Sequence, residues 1–86
     1  MFSKSVKILN PTGLHARPAS QLTKLCKGYL SNIKIITNKI EINPKSIISI
    51  MSGGIKSGTE VTVLVDGTDE QKAGNEIIAF LEGLKE

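Results

Sequence analysis

Polar and apolar residues alternate from Phe2 to Leu9, with Phe2, Val6 and Ile8 on one face and Ser3, Ser5 and Lys7 mainly on the other. That period of two predicts a half-buried strand. Asn10-Pro11-Thr12-Gly13 ends it, since proline at the second place of a turn and glycine at the fourth suit type I geometry. From Ala16 to about Gly28 the period becomes helical, and Ala19, Leu22, Leu25, Cys26 and Tyr29 share one face. Pro18 falls in the first turn, where its missing N–H breaks no intrahelical bond.

Ile33 to Thr37 and Ile40 to Ile42 are short β-branched segments, and Asn38-Lys39 between them suits a tight hairpin because asparagine tolerates positive φ. Asn43-Pro44-Lys45 breaks the second strand. The run Ile47-Ile48-Ser49-Ile50-Met51-Ser52 has two readings, a short helix or a continuous buried strand. Ser46 as an N-cap, the Gly53-Gly54 pair behind it and the length favour the helix. Thr59 to Val65 alternates cleanly, with Val61, Val63 and Val65 facing inward, and Asp66-Gly67 turns the chain. Thr68 with Gln71 fits a capping box, and Ala73, Ile77, Phe80, Leu81 and Leu84 stripe a closing helix of roughly four turns. The order βαββαβα implies an antiparallel sheet with its helices on one face.

A chain of 86 residues has room for one domain, spanning 1–86. With aromatic residues at 3% of the chain, the core must be built from isoleucine, leucine and valine, and base stacking on aromatic platforms is disfavoured. The net charge of +3 comes from lysines spread singly along the chain, which fits acidic partners better than nucleic acid. Cys26 is the one cysteine, so no intrachain disulfide forms; a reducing, cytoplasmic setting and a small buried hydrophobe are the expectations. The first ten residues contain no apolar run that suggests a signal peptide, and no later run could insert in a membrane. No cluster of metal-ligand residues appears, so neither metal nor other cofactor is expected.

His15, the single histidine, sits in Gly13-Leu14-His15-Ala16-Arg17-Pro18-Ala19, where the turn opens into the helix. A helix start offers unbonded N–H groups and the positive end of the macrodipole, so an anion held there is stabilised. Imidazole exchanges a phosphoryl group readily near neutral pH, being nucleophilic when neutral and a tolerable leaving group afterwards. A solvent-facing histidine of no special role is the plain alternative. Arg17, Ser20, Lys24 and Lys27 form a polar stripe running from His15, given about 100° of rotation per residue. For Lys24 and Lys27 a merely solvated helix face is the simpler explanation. Arg17, within a turn of the histidine, can offer phosphate oxygens paired hydrogen bonds.

Together with that motif, Lys45-Ser46-Ile47-Ile48, Met51-Ser52, Gly54 and Gly58 carry a resemblance over nearly the whole chain to HPr, the phosphocarrier family of the bacterial phosphotransferase system. The resemblance implies an α+β open-faced β-sandwich, four antiparallel strands covered on one face by three helices. It implies that Nδ1 of His15 accepts a phosphoryl group from phosphorylated enzyme I and passes it to sugar-specific enzyme IIA domains. Arg17 and the backbone N–H groups of Ala16 and Arg17 would support the charge, in a carrier that is not itself an enzyme. In many low-GC Gram-positive members the serine matching Ser46 is phosphorylated by HPr kinase/phosphorylase, which slows phosphoryl uptake and recruits a transcriptional regulator. Here Ser46 could equally be only an N-cap. Ile47, Ile48 and Met51 correspond to a docking patch, with Ile50 as the expected anchor. Gly53, where an apolar residue is common, and Pro44, unusual before the serine, are departures that bear on partner affinity and kinase recognition. The alternatives are a nitrogen-related paralogue retaining His15 and a regulatory relative, although regulatory members have generally lost the histidine. A monomer is expected, because one face docks several partners.

Overall fold

A computed structural model describes residues 1–84. Its elements run β1 (Phe2–Lys7), α1 (Ala16–Lys27), β2 (Asn32–Thr37), β3 (Ile40–Ile42), α2 (Ile47–Ser52), β4 (Glu60–Asp66) and α3 (Glu70–Glu82). The strands form one antiparallel sheet in the order β1-β4-β2-β3. Its three helices cover one face, as the βαββαβα pattern implies. Pleating sends Val61, Val63 and Val65 of β4 and Ile33 and Ile35 of β2 to that face, where all five are buried. Against them lie Ala19, Leu22 and Cys26 of α1, Ile50 of α2 and Ala73, Ile77 and Leu81 of α3. The core is aliphatic, with the Phe2 and Tyr29 rings at its margin.

β1 stops at Lys7, two residues before Leu9, because its partner strand changes conformation at the far end. Gly58, at φ +89°, donates its N–H to the Ile8 carbonyl, and Ile8 donates in turn to Thr59 at 2.8 Å, after which Leu9 points to solvent. Asn38 and Lys39 both adopt positive φ, so the β2–β3 hairpin turns as asparagine at its tip suggests. α3 keeps its apolar stripe through Leu81, with Phe80 only half-buried, but it ends at Glu82, so Leu84 packs against the core from beyond the helix and not as its last stripe residue.

The capping box at Thr68 and Gln71 does not form. The N-cap of α3 is Asp69, and its carboxylate leaves its own helix uncapped. It accepts instead from the Leu30 and Ser31 amides at 2.9 and 3.0 Å and from the Ser31 hydroxyl. Three donors at the α1–β2 junction, two amides and a hydroxyl, thus take the carboxylate in place of a local cap. These bonds, the Ser31 hydroxyl foremost and then the Leu30 amide, hold the Asp69 carboxyl below the usual carboxylate range. The same junction is fastened by Tyr29, whose hydroxyl donates to Glu76 of α3, and burial with that bond pushes its phenol up.

Candidate functional site

Chain geometry around His15 is fixed from two sides. The Gly13 amide donates to the Asn10 carbonyl at 3.2 Å, and the Asn10 side-chain amide returns a bond to the Gly13 carbonyl at 2.8 Å. Leu14, buried, donates its N–H to the Ile55 carbonyl at 3.1 Å, so the segment after α2 braces the turn before α1. Only glycine fits at 13. Its φ is +64°, and a Cβ there would stand 2.5 Å from the Ile55 carbonyl oxygen and 2.8 Å from Lys56 Cα.

His15 emerges from this clamp as the N-cap of α1, with extended backbone (φ −84°, ψ −167°) and no side-chain cap bond. Its carbonyl accepts the first helical bond, from Ala19 at 2.9 Å, while its half-exposed ring is spared structural duty. Pro18 supplies no N–H, so Ala16 and Arg17 are the first-turn residues whose amides an anion at His15 would meet. Among the described residues, none of the acids stands in the first turn of α1, and Lys24 and Lys27 lie in its last turn. α1 thus carries no acid of its own at the positive end of its dipole. Arg17, Ser20, Lys24 and Lys27 are all exposed, as the helical period requires.

α2 packs on α1. Ser46 is its N-cap, with Oγ accepting from the Ser49 amide at 3.2 Å, which resolves the 47–52 run as helix and not strand. Ile50 is the buried anchor, whereas Ile47, Ile48 and Met51 are 43%, 78% and 46% exposed. Gly53 closes the helix in right-handed conformation, and a Cβ there would meet Ile42 Cδ1 at 2.3 Å. The Ile42 side chain thus occupies the space that a larger residue at 53 would need.

Sequence reasoning missed Lys45. Its ammonium donates to the Tyr29 and Ser31 carbonyls at 3.2 and 3.0 Å, placing a cation just beyond the C-terminus of α1. No spacing pattern signals this, since the partners lie 16 and 14 residues earlier. Cys26 is buried, and burial raises its thiol to about 12 against the opposing influence of Lys45, so it serves as a core residue and not a nucleophile. Among the described residues no group of three acids, histidines or cysteines could hold a metal, and no helix is long and apolar enough to cross a membrane. A hollow of about 700 Å³, lined by Lys34, Glu41, Lys45 and Leu64 among others, does not include His15. His15 is partly exposed where the turn meets the helix, within reach of another molecule at the surface.

Residues 2–83 match the family described as "PTS HPr component phosphorylation site". The phosphocarrier protein HPr of Mycoplasma capricolum is 48% identical over 73 residues, covering 85% of this chain and 82% of the relative. The crystal structure of HPr-C-His from Thermoanaerobacter tengcongensis superimposes with a TM-score of 0.92 at 34% identity, over 95% of this chain and 92% of that one. The crystal structure of Crh, the Bacillus subtilis catabolite-repression protein described as a domain-swapped dimer, gives 0.76 at 33% identity, over 95% and 94%.

Proposed function

The chain belongs to the HPr family, the phosphocarrier proteins of the bacterial phosphotransferase system, and from that premise we propose that His15 is its phosphoryl carrier. The observation that bears the reading is the N-cap position of His15, half-exposed, without a cap bond and held by a clamped turn. Phosphorylated enzyme I is the donor. The Nδ1 lone pair forms a bond to phosphorus as the donor's bond to phosphorus breaks, its electron pair leaving with the donor. A sugar-specific enzyme IIA domain takes the group by the same displacement in reverse, with the electron pair returning to Nδ1.

Charge on the carried group is met by the Ala16 and Arg17 amides, the helix dipole and the Arg17 guanidinium. Such partial charges stabilise the phosphoryl group without caging it, so it survives diffusion and still leaves. In-line alignment by the docked partner supplies most of the acceleration, and no metal is required of this chain. Lys24 and Lys27 steer acidic partners, while Ile47, Ile48 and Met51 form the apolar contact. Phosphorylation of Ser46 by HPr kinase/phosphorylase would put negative charge on that surface, repel acidic partners and create an epitope for a transcriptional regulator. The setting is the cytoplasm and the carrier acts as a monomer. The likeness to Crh favours a second reading, regulation by binding alone through Ser46 and the patch.

Intact mass after incubation with phosphoenolpyruvate and a bacterial enzyme I separates the two readings. One acid-labile phosphoryl group, absent in His15→Ala, is expected. A folded protein left unlabelled by an active enzyme I would favour the regulatory reading.

A further inference from the structure

The sheet has two edges, and they differ. β3 has three residues and carries the Lys34–Glu41 ion pair at 2.9 Å beside it, whereas β1 has six and lies at the other end of the sheet. The bonds of Ile8 to Thr59 and Gly58 turn the even positions of β1 toward β4. The N–H and C=O groups of Ser3, Ser5 and Lys7 therefore point off the free edge. Beside that edge a hollow of about 380 Å³ is lined by Val6, Leu9, Leu81 and Leu84 with three polar residues, Ser5, Lys7 and Glu82. An edge strand of this length next to apolar surface is a template for another strand.

One residue breaks the pattern. In β1 the pleat places Phe2, Lys4 and Val6 on the helix-covered face, opposite Val65, Val63 and Val61. Phe2 and Val6 are buried, and Lys4 between them is exposed. We propose that Lys4 is a gatekeeper, and that its charge stops the β1 edge from pairing with the β1 edge of a second copy of this chain. The edge is self-complementary: an antiparallel two-fold centred on Ser5 sets Ser3 opposite the partner's Lys7 with their free amide groups in register. The same two-fold sets Lys4 opposite the partner's Val6 and Phe2 opposite the partner's Ile8. Both lysine ammonium groups would then lie against valine, stripped of water and within a Debye length of each other. A charge on the core side of an edge strand is one way that edges are kept single. Keeping this edge single is a property of the strand and does not depend on what His15 carries.

Sedimentation equilibrium of the wild type, Lys4→Val and Lys4→Arg tests the proposal. The wild type and Lys4→Arg should remain monomeric at concentrations where Lys4→Val dimerises. Hydrogen exchange at the Ser3, Ser5 and Lys7 amides should be fast in the wild type and slowed in the Lys4→Val dimer. Adding Ser5→Pro to Lys4→Val should restore the monomer, because the lost N–H serves the free edge and not the β1–β4 ladder. A monomeric Lys4→Val, a dimeric wild type, or a Lys4→Val dimer whose Ser3, Ser5 and Lys7 amides exchange freely would each overturn it, the last even if the proline variant did not fold.

Discussion

α1 and α2 begin alike, with one residue in extended conformation ahead of a packed helix, yet their first turns are finished in opposite ways. At α2, Ser46 bonds the Ser49 amide, so the helix start is satisfied by its own side chain. At α1, His15 makes no such bond, so its ring is not tied to the helix it precedes. One helix start is closed by its own N-cap side chain and the other is not. A cap made of serine stabilises a helix through its own side chain, whereas the His15 side chain takes no part in closing the first turn of α1. Order near His15 comes instead from Asn10, Gly13 and the Ile55 carbonyl, which bind the turn and not the ring.

The sharpest way to break this contrast is to spoil the clamp. Gly13→Ala combines left-handed backbone with a clash against Ile55 and Lys56, and a loss of about 3 kcal/mol in urea unfolding is expected. Ser46→Ala should cost about 1 kcal/mol, the worth of a lost N-cap. Ser46→Asp keeps a capping oxygen and should unfold like the wild type while taking up phosphate from enzyme I more slowly. Equal stability of the alanine and wild-type proteins would mean that the Ser46 cap contributes nothing. A smaller effect belongs to the third helix start. Because the folded Asp69 carboxyl titrates below its unfolded value, its contribution is present above about pH 4 and is lost as pH falls through the folded pKa. Asp69→Asn should therefore lower Tm at pH 7 and flatten its decline toward pH 3, as read by thermal scans across that range.

What could be read from the chain follows from the range of the interactions. Alternation in β4, the Ser46 cap and the apolar period of α1 depend on neighbours within one turn or one pleat, and the folded chain keeps them, as it keeps β1 except for the exposed Lys4 on its inner face. The single exposed face of α2 also followed, since a short helix with Ile50 inward must turn Ile48 outward. The failed capping box shows the limit: Thr68 and Gln71 satisfy the local rule, but Asp69 serves donors 38 and 39 residues earlier and moves the helix start. Lys45 on the Tyr29 and Ser31 carbonyls and Glu76 on the Tyr29 hydroxyl were invisible for the same reason. At the site, the motif named His15, Ala16 and Arg17, but the brace from Ile55 became visible only with the fold.

The most direct measurement is the amide ¹H–¹⁵N spectrum recorded before and after phosphorylation by enzyme I and phosphoenolpyruvate. Large shifts at Ala16 and Arg17, with the Ser49 amide at the start of α2 unmoved, are the expected result. A labelled His15 with the Ala16 and Arg17 amides unshifted would contradict the proposal that the start of α1 holds the phosphoryl group.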